Sequence, residues 1–225
     1  MSAATQGVLF SQMQPPPGLV AEFHEWYETE HIPARMAIPG FAGAQRFEAI
    51  EGWPDHLAVY WLDDLGTLET PRYARLKRDG TARSERMLGS VEGFTRYVCE
   101  LASDTGVPSD ERPEYLSAVA FSVPERERAE FDDWYEDEHI PLLMRSPDWL
   151  RVRRCRVLSG EPEPWTDLAL HELRDPAAMD SEQRVAARAA PKRTALSGRP
   201  WFASSGRWLY RCIARHRGGA DGGEH

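Results

Sequence analysis

Residues 21–36, AEFHEWYETEHIPARM, return almost unchanged at residues 129–144 as AEFDDWYEDEHIPLLM. The spacing is 108 residues, and Pro39/Pro147 and Arg46/Arg154 keep it. Further out the match holds at a spacing of 111. LAVYWL from Leu57 pairs with LALHEL from Leu168, and RYVC from Arg96 pairs with RWLY from Arg207. Near the start, VLFSQ from Val8 meets AVAFS from Ala118, with Phe10 and Phe121 aligned. Loops absorb small differences in length, whereas an ungapped WYxxEHIP does not recur by accident. The chain is two copies of one module.

Each copy shows the same order of elements. GVLFSQM alternates as a strand does, EFHEWYETEH carries a helical stripe, and IPGFAGAQRFEAI reads as a turn and a second strand. HLAVYWL is a third strand, PRYARLKRDGTARSERML a polar helical stretch and TRYVCELA a fourth strand. This βαββαβ order is ferredoxin-like. The expected boundaries are a first module over 1–101, a linker over 102–114, a second module over 115–216 and a disordered tail over 217–225. One such module covers a single face of its sheet with helices, so the other face needs a partner. Two fused copies supply it within one chain. The expected fold class is therefore α+β: tandem ferredoxin-like modules forming an intramolecular barrel, sheet against sheet with a lumen between.

Composition narrows the partners. The 225 residues carry a net charge of −9, a poor match for nucleic acid or an anionic membrane, both of which need a basic footprint. No stretch approaches the roughly 20 apolar residues of a membrane span. Cys99, Cys155 and Cys212 are scattered and odd in number, which predicts no disulfide framework, no metal site and a reducing, cytoplasmic setting. The N-terminus lacks the pattern of a signal peptide. The expected partner is a small molecule, and a homodimer of the tandem chain is left open.

The repeated helix carries the candidate chemistry. At about 100° per residue, Trp26, Tyr27 and Glu30 fall within about 60° of Phe23, and His31 lies at the edge of that stripe. Glu22, Glu25 and Glu28 point away. The second copy repeats this with Phe131, Trp134, Tyr135, Glu138 and His139. Pro33 predicts a helix end or kink near His31. There the helix dipole and a neighbouring carboxylate favour imidazolium while burial opposes it, which suits proton exchange near neutral pH. The competing reading is structural, with EHIP closing the helix and Glu30 paired to an arginine such as Arg46. Trp26, Tyr27, Trp134 and Tyr135 read first as core and second as substrate contacts. In the second strand Arg46/Arg154 oppose the apolar Phe47/Cys155 face. They are expected either to line the lumen and hold a substrate carboxylate or enolate, or to form salt bridges. Tyr60 and His171 share one repeat position, so the two sites are expected to be unequal. His24 is expected to be exposed, and His56 carries no signal.

A strand, FxxWYxxEHIP, the turn Ile38-Pro39-Gly40-Phe41 and Arg46-Phe47 in the next strand resemble the EthD-like branch of the dimeric α+β barrel superfamily. The second copy departs from the pattern, with Ser146-Pro147-Asp148-Trp149 at the turn. The resemblance covers nearly the whole chain. It implies a superfamily of mixed chemistry: cofactor-free monooxygenases, muconolactone isomerases, polyketide cyclases and dehydratases, and haem-dependent enzymes. In the muconolactone methylisomerase branch a histidine at the end of the first helix takes part in proton transfer, and His31 and His139 match that position.

Sequence motifs for nucleotide, serine-hydrolase or zinc chemistry are absent. The leading expectation is a cofactor-independent isomerase, dehydratase or cyclase acting on a small aromatic, lactone or polyketide-like substrate. His31 or His139 would be the base, Glu30 or Glu138 would orient it, and an arginine or Tyr60 would stabilise the enolate. The alternatives are an oxygen-using enzyme of the same fold and a non-catalytic, stress-associated binding barrel. No cofactor is expected; haem stays open because a single histidine on an apolar face is all it requires.

Overall fold

GVLFSQM forms β1 (Gly7–Met13) with all seven residues buried, because its two faces meet two different cores. Val8 and Phe10 point into the barrel, while Leu9 and Met13 meet the helices. The computed structural model describes residues 5–106, 112–162 and 165–218.

The other strands are β2 (Phe41–Glu51), β3 (His56–Leu62), β4 (Arg96–Thr105), β5 (Tyr115–Phe121), β6 (Trp149–Glu161), β7 (Asp167–Leu173) and β8 (Gly206–Arg217). Within each copy the strands run in the order 4-1-3-2, all antiparallel. The two sheets then join edge to edge, β2 with β8 and β4 with β6, closing one eight-stranded barrel. Closure removes the open edges that either sheet alone would expose. β4 runs to Thr105, into the stretch expected as linker, because it pairs there with β6 as far as Val152. Of that expected linker, residues 107–111 lie outside the described residues, as do 219–225 of the expected tail; Arg217 still belongs to β8.

The barrel interior is filled. Phe10, Phe47, Leu57, Val59, Leu116, Leu168 and Tyr210 pack across it from both copies. Gln12 donates to the Tyr210 hydroxyl at 2.7 Å, satisfying a polar pair inside. The expected lumen site is therefore absent from the described interior: apolar side chains from both sheets occupy that space.

The helices lie outside. In the first copy α1 (Val20–Trp26) leads through a π-helical turn (Tyr27–His31) into α2 (Ile32–Met36). Of the helix end or kink expected near His31, the end does not occur. The Ile32 N–H reaches back to the Tyr27 carbonyl, and this wide turn takes Pro33, which lacks an N–H, without ending the helix. Helices α3 (Pro71–Arg78) and α4 (Ala82–Ser90) complete the layer. The second copy repeats the device with α5 (Arg128–Trp134), a π turn (Tyr135–His139) and α6 (Ile140–Leu143). It continues with α7 (Glu182–Ala189), α8 (Pro191–Leu196) and α9 (Pro200–Ala203).

Candidate functional site

The π turn sets what the helix presents. Trp26 and Tyr27 are buried in the helix–sheet core, and the His31 ring stacks on both, with centroids 4.2 and 4.8 Å away. Trp134, Tyr135 and His139 repeat this at 4.8 and 5.2 Å. Both histidines sit under the helices and outside the barrel. Burial, with Arg35 and Arg46 nearby, holds His31 well below the ordinary imidazole range. Burial and the neighbouring His171 do the same to His139. Desolvation outweighs the helix dipole here, so both rings are neutral at physiological pH, contrary to the expected balance.

The glutamates do not orient the histidines. Glu30 accepts from Arg83 and from Thr81, both at 2.9 Å, which lowers its pKa. Glu138 accepts the backbone N–H groups of Lys192 and Arg193 at the start of α8, each at 3.0 Å. Each ties its π turn to a later helix of the same copy, Glu30 to α4 and Glu138 to α8.

Arg46 and Arg154 also differ from the lumen expectation. They leave β2 and β6 on the helix side, because Phe47 and Cys155 take the inward positions. Arg46 donates to Glu28 at 2.7 Å, and Arg154 donates to Glu136 at 2.7 Å and to Asp132. Glu28, expected to face solvent, is thus a structural partner. The salt-bridge reading of these arginines holds.

His24, Glu48 and His56, none of which sequence reasoning singled out, come together with ligand atoms within 4.8 Å of one another. Arg46 Nη2 stands 2.9 Å from His24 Nδ1, and His24 Nε2 lies 3.5 Å from Glu48, so a fixed positive charge adjoins the group.

The two copies build unequal cavities between helices and sheet. The first, about 680 Å³, is lined by His31, Arg35, Tyr60, Leu9, Met13, Tyr73 and residues of α3 and α4. The Tyr60 hydroxyl is buried without a hydrogen-bond partner, and burial raises its pKa strongly. Arg35 bonds the His31 carbonyl at 3.0 Å and lies 5.5 Å from the Tyr60 ring centroid. Arg35 escaped sequence reasoning. Its signal was the break in the repeat, since Leu143 holds the matching place.

The second cavity is about 140 Å³ and is lined by His139, Trp134, Trp149 and His171 among others. His171 is fully satisfied: Trp149 donates to Nδ1 at 3.2 Å, and Nε2 lies 3.4 Å from the Tyr135 hydroxyl. Burial pushes its pKa down to about 3. The repeat position that is open and polar at Tyr60 is thus packed and satisfied at His171.

No family model matches the sequence, and no curated protein matches it significantly. Solved structures do match in fold. An anthrone oxidase-like protein superposes with a TM-score of 0.73 at 14% identity, over 97% of this chain and 95% of its own. A candidate monooxygenase from Fusobacterium nucleatum gives 0.64 at 9% identity, over 97% of both chains. A candidate chlorite dismutase gives 0.59 at 16% identity, over 94% of this chain and 96% of its own. The chain has the fold of the dimeric α+β barrel proteins, with both modules in one polypeptide. No helix among the described residues is long and apolar enough to cross a membrane.

Proposed function

We propose that the first copy's cavity is the active site of an oxygen-using enzyme that oxidises an electron-rich aromatic or polyketide-like substrate, within the EthD-like branch. One observation carries this reading. The neutral His31, the unpartnered Tyr60 hydroxyl and Arg35 line one cavity of about 680 Å³, a size suited to a polycyclic ligand. The similarity in fold to anthrone oxidase-like and monooxygenase-like proteins favours oxygen chemistry over the isomerase, dehydratase or cyclase first expected.

His31 takes a proton from the carbon or phenol to be oxidised. Tyr60 donates to the enolate oxygen, and Arg35 stabilises its charge. The electron-rich anion then reduces dioxygen: an activated CH₂ and O₂ give C=O and H₂O, so atoms and electrons balance without a redox cofactor. Neither His31 nor His139 fits as the axial ligand of a haem. An axial histidine normally donates its second ring N–H to a carboxylate or carbonyl, and His31 has no such acceptor among the described residues. The cavity at His139 is only about 140 Å³.

Incubation with an anthrone under ¹⁸O₂ should place one labelled atom in the product ketone and consume one O₂ per turnover. Substrate conversion without oxygen uptake would return the reading to proton transfer alone. A Soret band in the purified protein would return it to haem.

A further inference from the structure

The second cavity concentrates positive charge in an acidic chain. Arg184 and Arg188 of α7, Arg193 of α8 and Arg207 of β8 all line it, against a single acidic residue, Glu51. Among the described residues none of these four arginines has a carboxylate within salt-bridge range. Arg184 and Arg193 use their guanidinium groups on backbone carbonyls, those of Met179 and Arg188. Other arginines packed against helices or sheet are paired, Arg46, Arg83, Arg128, Arg153 and Arg154 each holding at least one carboxylate, whereas Arg35 and Arg96 donate to a carbonyl and a hydroxyl. Partial burial lowers the pKa of Arg184 and Arg193, and their arginine neighbours lower each further, while Arg188 and Arg207 reach the surface. Such a cluster persists at a cost in electrostatic repulsion unless an anion relieves it.

The first copy carries a different set at the matching positions. Thr70 and Ser181 cap α3 and α7 at the same repeat position, so Tyr73, Lys77 and Arg96 correspond to Arg184, Arg188 and Arg207. In the first copy the Tyr73 hydroxyl accepts from Arg96 at 3.3 Å. In the second copy that neutral acceptor has become a third cation. A second loss accompanies it. Trp26 Nε1 donates to Ser84 at 2.9 Å, whereas Trp134 Nε1, on a side chain 2% exposed, has no partner, and neither has His139 Nδ1. Both residues line the arginine cavity.

Phe121, Trp149, Leu143, Phe202 and Leu209 supply apolar wall, beside the polar Ser117, Tyr135 and His171. The volume, about 140 Å³, is close to that of an engineered apolar cavity of about 150 Å³ that takes up benzene. We infer that the second copy's cavity is a binding site for a small aromatic carboxylate, its ring against the aromatic walls and its carboxylate held by Arg184, Arg188, Arg193 and Arg207. The site is separate from the cavity of the proposed oxidation and stands whether or not that reading holds.

The full chain should be titrated with benzoate, benzyl alcohol and inorganic phosphate, with tryptophan fluorescence and melting temperature as readouts. Benzoate should shift both in a saturable way. Benzyl alcohol and phosphate should bind at least tenfold more weakly, the first lacking the charge and the second the ring. Arg188→Gln and Arg207→Gln alter exposed side chains, so the fold should survive. Each should weaken benzoate binding tenfold or more, while Lys77→Gln, the matching change in the first copy, should not. No response to benzoate up to about 10 mM, equal binding of phosphate, or unchanged affinity in both arginine variants would overturn the assignment.

Discussion

The guanidinium carbon of Arg46 stands 4.4 Å from the ring centroid of Tyr27, and Arg154 stands 4.9 Å from that of Tyr135. One contact, made twice, fastens the first helix of each copy to its second strand. Arg46 is buried and Glu28 is half-exposed, so the charge pair is partly screened while the stacking is not. Removing the cation strands little charge, since Glu28 reaches water, but it opens a hole beneath the helix. Arg46→Ala should destabilise the fold by about 2–4 kcal/mol, measured by denaturant unfolding. Arg46→Lys should recover less than half of this, because an ammonium lacks the flat stacking face. A loss below about 0.5 kcal/mol would show the contact to be incidental.

Trp26 and Trp134 are 0% and 2% exposed, each packed against a phenylalanine one turn earlier, with centroids 6.0 and 5.8 Å apart. Trp26→Ala and Trp134→Ala should each cost about 3–5 kcal/mol, as for other large buried aromatics. Trp26→Ala should cost more, since it also removes the hydrogen bond to Ser84, whereas Trp134 Nε1 has no partner to lose. Equal losses would mean that the Trp26 hydrogen bond contributes nothing.

Buried histidines tie stability to pH. His31 and His139 are held well below the usual imidazole value, His56 is pushed down to about 4 and His171 to about 3, all chiefly by burial. In the unfolded chain each titrates near about 6.5. A depressed histidine means that the unfolded state binds more protons below that value. Stability is therefore full above about pH 6.5 and falls as the pH drops toward 4. The melting temperature should decline steadily across that range, before carboxylates contribute. His171→Gln, which can still accept from Trp149 but does not titrate, should flatten the slope. A melting temperature constant from pH 7 to 5 would contradict the burial of these rings.

The repeat, the order of elements and the barrel were legible because the strands and helices of both copies recur at spacings of 108 and 111 residues and keep one alternation. Phe47 and Cys155 could be placed on one strand face, yet which face looks inward was not readable. Both faces are buried, one by the opposite sheet and one by helices, so polarity alone left Arg46 and Arg154 between a lumen role and the salt bridges they form. The π turn hid for a similar reason: Pro33 signals a missing donor, and a wide turn and a helix end answer that signal equally well. Arg35 and the arginines of the second cavity had no motif to announce them. They stand out only as differences between the copies, Arg35 against Leu143 and Tyr73 against Arg184.

The division of labour between the copies can be tested with paired variants. His31 and His139 end equivalent π turns, but only His31 shares its cavity with an unpartnered tyrosine hydroxyl and an arginine. His31→Ala should lower turnover with an aromatic substrate by about a hundredfold, the scale of a lost general base. Tyr60→Phe should lower it by about tenfold to a hundredfold through the enolate. His139→Ala should leave turnover within about twofold, because the second cavity takes no part in the proton transfer. Since His31 is neutral well below its ordinary pKa, turnover should show no acid limb between pH 6 and 8 attributable to this base. All three variants should fold, and a circular dichroism melt separates lost chemistry from lost structure. Equal loss in His31→Ala and His139→Ala, with both folded, would show that the copies act together. Normal turnover in both would leave the histidines as packing groups of the π turn.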